Sequence, residues 1–210
     1  MIEVIKTFFR QFKYTKSFSQ FGEDVVIQSL FRNKKNGIYV DVGAYQPILY
    51  SNTHALYLKG WHGLSIDPNP SFKILYKIFR RRDTFANFAV GDATKHKYFM
   101  FSDGAYNTLS EVVAKDLMSK KYPSFLGTKE VNSLPLSEII KKYKITHIDY
   151  MNIDVEGLDL EVLKSHDWSI KPSVISVEDS DKEGIGSLLS QHGYKLTAYV
   201  GKSLIYKLNV

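Results

Sequence analysis

Apolar positions along this chain follow two different spacings in alternation. Short runs with hardly a polar break, Ile38-Tyr39-Val40-Asp41-Val42, Leu64-Ser65-Ile66 and Tyr150-Met151-Asn152-Ile153, have the pattern of strands covered on both faces. Between them, apolar residues recur every three or four positions, the spacing of helices with one buried stripe. The pattern predicts strand 38–42, helix 51–59 closed by Gly60, strand 63–67, helix 70–80 and strand 84–90. That is a βαβαβ unit, half of a doubly wound sheet. Helix 135–143, strand 148–153, helix 158–164 and strand 173–177 repeat it. A helix over 185–192 then leads into strands 194–200 and 203–208, and the tight Gly201-Lys202 turn between them requires an antiparallel pair.

The two remaining stretches are read differently. Over 1–16, Ile2, Val4, Ile5, Phe8, Phe9 and Phe12 fall near helical spacing with Lys6, Arg10, Lys13 and Lys16 between them, predicting a basic amphipathic helix. Such a helix can lie on a membrane surface, or pack on the domain or on a second subunit of a homo-oligomer. A second helix is expected over 23–32, and Asn36-Gly37 punctuates the way into the first strand. Residues 95–134 show no clear period beyond a strand near 98–101 and read as inserted loops of the kind that shape a ligand pocket. The expected organisation is a helical cap over 1–36 and an α/β domain over 37–210 carrying that insertion.

Composition narrows the chemistry. A chain of 210 residues that is 44% hydrophobic can bury a substantial core. No run is long enough to span a bilayer and no secretory signal is evident, so a cytoplasmic location is expected. The absence of cysteine removes disulfides, thiolate metal sites and cysteine nucleophiles. The net charge of +6 is partly concentrated at Lys73, Lys77, Arg80, Arg81 and Arg82, a set able to meet nucleic acid, anionic lipid or a phosphorylated substrate. A solvated helix face is the plainer reading. Aromatic residues are spread among the strands and not interleaved with these cations, which argues against nucleic acid.

The strand ends carry the candidate chemistry. Asp41 and Gly43 close the first strand, and Asp67, twenty-four residues after Gly43, closes the second, the distance at which an acidic side chain can grip a ribose hydroxyl. Helix capping is the alternative for Asp67, and likewise for Gln20, Glu23, Ser51, Asn52 and Thr53, all near helix starts. The fourth strand ends in Asp154 and the fifth in Glu178-Asp179; neighbouring parallel strands would converge these three carboxylates into an all-oxygen site suited to Mg²⁺ or Mn²⁺. Without a metal, Asp154, Glu156 or Glu178 can serve as general base. The six histidines form no zinc array; His54 is the one near enough to the first loop to be nominated as a base, with a structural role the plainer reading. No Gly-x-Gly-x-x-Gly, Gly-x-Ser-x-Gly or Walker loop is present.

In order and spacing, Ser19-Gln20-Phe21-Gly22-Glu23-Asp24, Val40-Asp41-Val42-Gly43-Ala44, Ser51-Asn52-Thr53, Ile66-Asp67-Pro68-Asn69-Pro70, Asn87-Phe88-Ala89-Val90-Gly91-Asp92 and Asn152-Ile153-Asp154-Val155-Glu156-Gly157 with the Leu158–Leu163 run resemble the FkbM-type family of S-adenosylmethionine-dependent methyltransferases. The resemblance spans about 19–179. It implies a class I, Rossmann-like sheet, mostly parallel with an antiparallel C-terminal strand, where a dehydrogenase sheet would end in a sixth parallel strand. It places Gly43 against the methionine portion of S-adenosylmethionine, Asp67 on the ribose and Asn87, Phe88 and Ala89 around the adenine. Gln20 and Glu23 close over the cofactor, and Asn52, Pro68 and Asp154 belong to the same site. Asp154 and Glu178 become the catalytic candidates, the insertion lies on the acceptor side, and the acceptor is a hydroxyl of a sugar or glycan precursor, as in polysaccharide biosynthesis. The chain departs from the family at Tyr45-Gln46-Pro47, where relatives commonly carry a small residue or another glycine. Two rivals stand beside this reading: a nicotinamide-dependent oxidoreductase, and a non-catalytic nucleoside-binding protein of the same fold.

Overall fold

A computed structural model describes residues 16–120 and 122–209; the helix expected over 1–16 lies outside them except for Lys16. The chain runs α1 (Glu23–Leu30), β1 (Ile38–Val42), α2 (His54–Leu58), β2 (His62–Ile66), α3 (Phe72–Phe79), β3 (Thr84–Ala86), β4 (Ala89–Val90), β5 (Lys95–Phe101), a 3₁₀ turn at Gly104–Tyr106, then α4 (Glu111–Met118) and β6 (Phe125–Leu134). It continues with α5 (Leu136–Lys142), β7 (Tyr150–Ile153), α6 (Asp159–Lys164), β8 (Val174–Glu178), α7 (Lys182–Gln191), β9 (Tyr194–Val200) and β10 (Ser203–Leu208). Seven strands form one sheet in the order β3-β2-β1-β7-β8-β10-β9, parallel except for β10, which pairs antiparallel with both neighbours.

Alternation along the central strands sends two sets of side chains to opposite faces. Val40, Val42, Leu64, Ile66, Met151, Ile153, Ile175 and Val177 meet Leu136, Ile139, Leu163 and Ile185 of the helices on one side. Tyr39, Tyr150 and Val174 meet Ile27, Leu56 and Trp61 on the other. Covering on both faces is why these strands read as apolar runs.

Two expectations are corrected. Strand 84–90 is two strands: the Phe88 N–H bonds back to the Ala86 carbonyl at 3.1 Å, and the turn lets Ala89 and Val90 leave the main sheet to pair with Ser133 and Leu134 of β6. Residues 95–134 are not loops but a second sheet, ordered β4-β6-β5, with α4 packed on it through Ala114 and Leu117 against Phe99 and Phe101. Its periodicity was weak in the sequence because β6 is largely exposed, with only Val131 and Ser133 buried along it.

Candidate active site

The chain proceeds from β1 outward to β2 and β3, then crosses back to place β7 on the other side of β1. This reversal leaves a crevice at the carboxyl ends of β1 and β7, the position where open α/β sheets bind ligands. A cleft of about 200 Å³ opens there. Its floor holds Val42, Gly43, Asp67, Asp154 and Glu178; Phe88, Ala89 and Tyr98 form one wall, and Gln20, Phe21, Glu23, Lys202 and Ser203 approach from the chain's two ends. Phe21 packs so closely on the β9–β10 turn that a Cβ on Gly201 would stand 2.3 Å from its ring. The turn ahead of α1 is tied down by Glu23, which accepts from the Phe21 N–H at 2.9 Å, and by Asp24, which accepts from Ser17, Ser19 and the Phe18 N–H.

Gly43 is required by the chain itself. Its φ is +77°, and a Cβ there would lie 1.7 Å from the Asp154 carbonyl oxygen, because the loops after β1 and β7 cross in contact. The expected collision between a side chain and ligand is thus preceded by one with backbone. The N–H groups of Gly43 and Ala44 both reach the Ile66 carbonyl, and that of Tyr45 donates to Asp67 at 3.0 Å. This loop offers a ligand surface and shape, its donors being spent on β2. Tyr45, Tyr50 and Glu156 line the cleft with positive φ, a conformation that costs energy in non-glycine residues and gathers at functional sites.

Asp67 accepts from the Tyr45 and Asn69 N–H groups, one on each oxygen, so each oxygen keeps a further lone pair. Burial pushes its carboxyl up to about 7, against those two bonds, which pull it down. Asn87 donates to the Asp67 carbonyl at 2.9 Å; its own side chain lies outside the cleft, while Phe88, Ala89 and Pro68 line it.

Asp41 lies beneath the cleft and not in it. At one register across the sheet stand Ser65, Asp41, Asn152 and Ser176. The Asp41 carboxylate accepts from Thr53 Oγ1 at 2.7 Å and Asn152 Nδ2 at 2.9 Å; Asn152 Oδ1 accepts from Ser176 Oγ at 2.6 Å and from Asn52 Nδ2 at 3.0 Å. Asn52 lines the cleft, so this buried row sets its amide. Burial raises the Asp41 carboxyl even against the bonds from Thr53 and Asn152.

Asp154, Glu156 and Glu178 bring one carboxylate oxygen each within 4.8 Å of the others. Asp154 is open to the crevice on one side and packed by protein around the rest, and burial followed by the Glu178 charge raises its carboxyl. Burial, then Glu178, holds Glu156 at about 7; burial, then Asp159, raises Glu178. Lys202 stands 3.7 Å from Glu178 and works the other way on both glutamates. Asp179, expected as a third metal ligand, is outside the group: past the end of β8 its carboxylate turns to the Tyr199 hydroxyl of β9. His54 is buried against Phe18, with burial and Arg80 lowering it to about 4, and does not line the cleft.

Lys202, Tyr50, Tyr98 and Asn107 also line the cleft, and the sequence reading did not single out any of them as site residues. Lys202 was within reach of that reading, since a hairpin beside the fifth parallel strand puts its turn at the end bearing Glu178; Ser203 pairs with Glu178.

Arg80 corrects the reading of a basic surface cluster. It is fully buried, bonded to Asp83, the Tyr39 hydroxyl, Thr53 Oγ1 and the Pro47 carbonyl. Arg82 lies over the Tyr57 ring.

A mostly parallel sheet with a crevice at its point of reversal, acid-tipped strands around it and an antiparallel tail defines a class I methyltransferase fold. The sequence profile described as Methyltransferase FkbM domain matches residues 41–196, well over half of the chain. The chain belongs to this family of S-adenosylmethionine-dependent methyltransferases. Comparison with curated proteins finds no match. Among solved structures, it is similar to a precorrin-6y C5,15-methyltransferase from Geobacter metallireducens GS-15, at 13% identity over 89% of this chain and 87% of that one, TM-score 0.43. It is also similar to a 1,6-didemethyltoxoflavin-N1-methyltransferase from Burkholderia thailandensis, with 1,6-didemethyltoxoflavin and S-adenosylhomocysteine bound, at 12% identity over 89% and 77%, TM-score 0.44.

Proposed function

We propose that this protein methylates a hydroxyl of a sugar or glycan precursor, with the Asp154, Glu156 and Glu178 carboxylates receiving the hydroxyl proton. The observation that carries the reading is the presence of these three acids in the same cleft as Gly43 and Asp67. S-adenosylmethionine, when bound, supplies an activated methyl group on a sulfonium sulfur. The site suits such a ligand: Asp67 keeps lone pairs for two ribose hydroxyls, Phe88 and Ala89 offer apolar surface to a base, and among the described residues none fills the cleft between them. Burial and the neighbouring Glu178 charge raise Glu156 to about 7, where a base is most effective, and Asp154 and Glu178 are raised as well.

An alcohol must lose its proton as it is methylated, and a carboxylate with its pKa near 7 both takes that proton and releases it to solvent. Lys202 limits the repulsion among the acids. The same three oxygens suit the ligand demand of Mg²⁺ or Mn²⁺, which would hold the acceptor oxygen and lower its pKa. Chelator-treated protein that transfers methyl groups at an undiminished rate excludes that assistance.

The test is transfer of labelled methyl from S-adenosylmethionine to sugar and glycan precursors, beside calorimetric titration of the cofactor. Glu178→Gln is expected to lower kcat by roughly a hundredfold or more while cofactor affinity holds. Binding without turnover on any hydroxyl acceptor would return the protein to the non-catalytic alternative, and transfer to nitrogen alone would displace the hydroxyl reading.

A further inference from the structure

Helix α3 is apolar on two sides. Phe72 and Tyr76 turn inward to pack with Ala44 and Phe85, as one stripe of an ordinary surface helix should. The opposite side carries Ile74 and Ile78, one turn apart and 56% and 50% exposed, and Phe79, at the end of the helix on the flank nearer Phe72, is 49% exposed. Leu75 and Phe79 then line a groove with Ile48, Leu49 and Tyr50 of the loop after β1, which are themselves open to solvent, and the groove is bordered by the Ser17–Ser19 segment as well. Lys73, Lys77 and Arg81 flank this apolar ground, all exposed, and none is in an ion pair among the described residues.

Exposed aliphatic side chains cost free energy in water, and a helix that keeps them in contiguity with unpaired cations has the composition of an interfacial element. We propose that this face, α3 with the 48–50 loop, docks on the surface of an anionic lipid bilayer, the isoleucines and Leu49 entering the acyl boundary and the lysines meeting phosphate headgroups. A second copy of the chain fits less well, because a twofold contact on this face would gather two sets of Lys73, Lys77 and Arg81 into one interface, with no acidic residue in α3 or at 48–50 to offset them. Nucleic acid would leave Ile74 and Ile78 without partners, since aliphatic side chains give bases nothing to stack on. Tyr50 lines both the groove and the active-site cleft, so the docked protein holds its cleft mouth at the bilayer. The inference does not depend on the proposed acceptor.

Cosedimentation of the full chain with vesicles tests it. The protein is expected to bind phosphatidylcholine vesicles containing phosphatidylglycerol, to ignore pure phosphatidylcholine, and to be released as salt rises from about 0.1 M to about 0.5 M. Ile74→Ser with Ile78→Ser should weaken partitioning on the order of tenfold, and Lys73→Ala with Lys77→Ala roughly twentyfold. Both pairs are solvent-facing, so each variant should keep the parent's thermal transition, and either one suffices for the test. Failure of the wild type to bind overturns the proposal. So does binding that both double variants leave intact, which would assign membrane contact to residues 1–16, or a loss of self-association in sedimentation velocity with no change on vesicles, which would make the face a protein interface.

Discussion

Single residues at the crevice answer to two demands, one from the chain and one from the ligand, and substitutions separate them. At Gly43 the chain's demand dominates. A methyl group there meets the Asp154 carbonyl oxygen at 1.7 Å, a backbone atom that no side-chain rotation can move aside, in a conformation that already disfavours L side chains. Gly43→Ala is therefore expected to cost more than about 3 kcal/mol of folding stability, read as a lowered Tm in calorimetry without ligand; an unchanged Tm would mean the two loops can part. At Asp67 the ligand's demand can be isolated. On the proposed reading, in which Asp67 holds the ribose, the ribose hydroxyls donate best to the ionised carboxylate, so S-adenosylmethionine affinity should rise with pH through about 7, where burial has placed this group. Asp67→Asn should bind roughly ten- to a hundredfold more weakly and lose that pH dependence in calorimetric titration. Stability moves in the opposite sense: a carboxyl raised by folding stabilises the fold below its unfolded value and loses that contribution as pH climbs toward 7. The wild type should therefore lose stability relative to Asp67→Asn between about pH 4 and 7.

Elements are joined at the site by polar anchors that pattern reading catches unevenly. Arg80, at the end of α3, reaches the Pro47 carbonyl in the loop after β1, Thr53 ahead of α2, and Asp83 ahead of β3. Its buried charge is balanced by Asp83, whose side chain is also fully enclosed. Arg80→Met leaves that carboxylate without a cation and should cost about 3–5 kcal/mol in urea unfolding, with part restored by adding Asp83→Asn. In sequence, Arg80 stands beside Arg81 and Arg82 and nothing in composition distinguishes it; only the packing of α3 does. The parallel strands were legible because both faces are covered and the apolar runs are unbroken. Asp67 and Asp154 were legible because a carboxylate directly after such a run has few places to go but the crevice. The second sheet was hidden by its exposed outer face, and with it Tyr98 and Asn107 of the cleft wall. Asp179 was misplaced because alternation sends adjacent residues to different sides: Glu178 turns into the crevice and its neighbour toward β9.

The whole molecule closes the site by bringing distant parts of the chain together. β1 supplies Gly43, β7 leads into Asp154 and Glu156, β8 ends in Glu178, and the terminal hairpin swings Lys202 over the acids while Phe21 wedges against Gly201. The hairpin is thus part of the electrostatics of the cleft as well as the edge of the sheet. Three acids at this spacing repel, and Lys202 lowers both Glu156 and Glu178 against the burial that raises them. Removing the ammonium in Lys202→Met leaves burial and mutual repulsion unopposed, so both glutamates move further up. If these glutamates take the acceptor proton, as proposed, the base must be ionised and is then ionised only at higher pH. The rising limb of kcat against pH should shift upward in Lys202→Met, with activity falling several-fold at about pH 6 and recovering by about pH 9. Lys202→Arg should hold the wild-type profile, since charge and not the shape of the head group is what acts. A Lys202→Met profile lowered evenly at every pH would instead show that the lysine binds the acceptor and leaves the acids' titration alone.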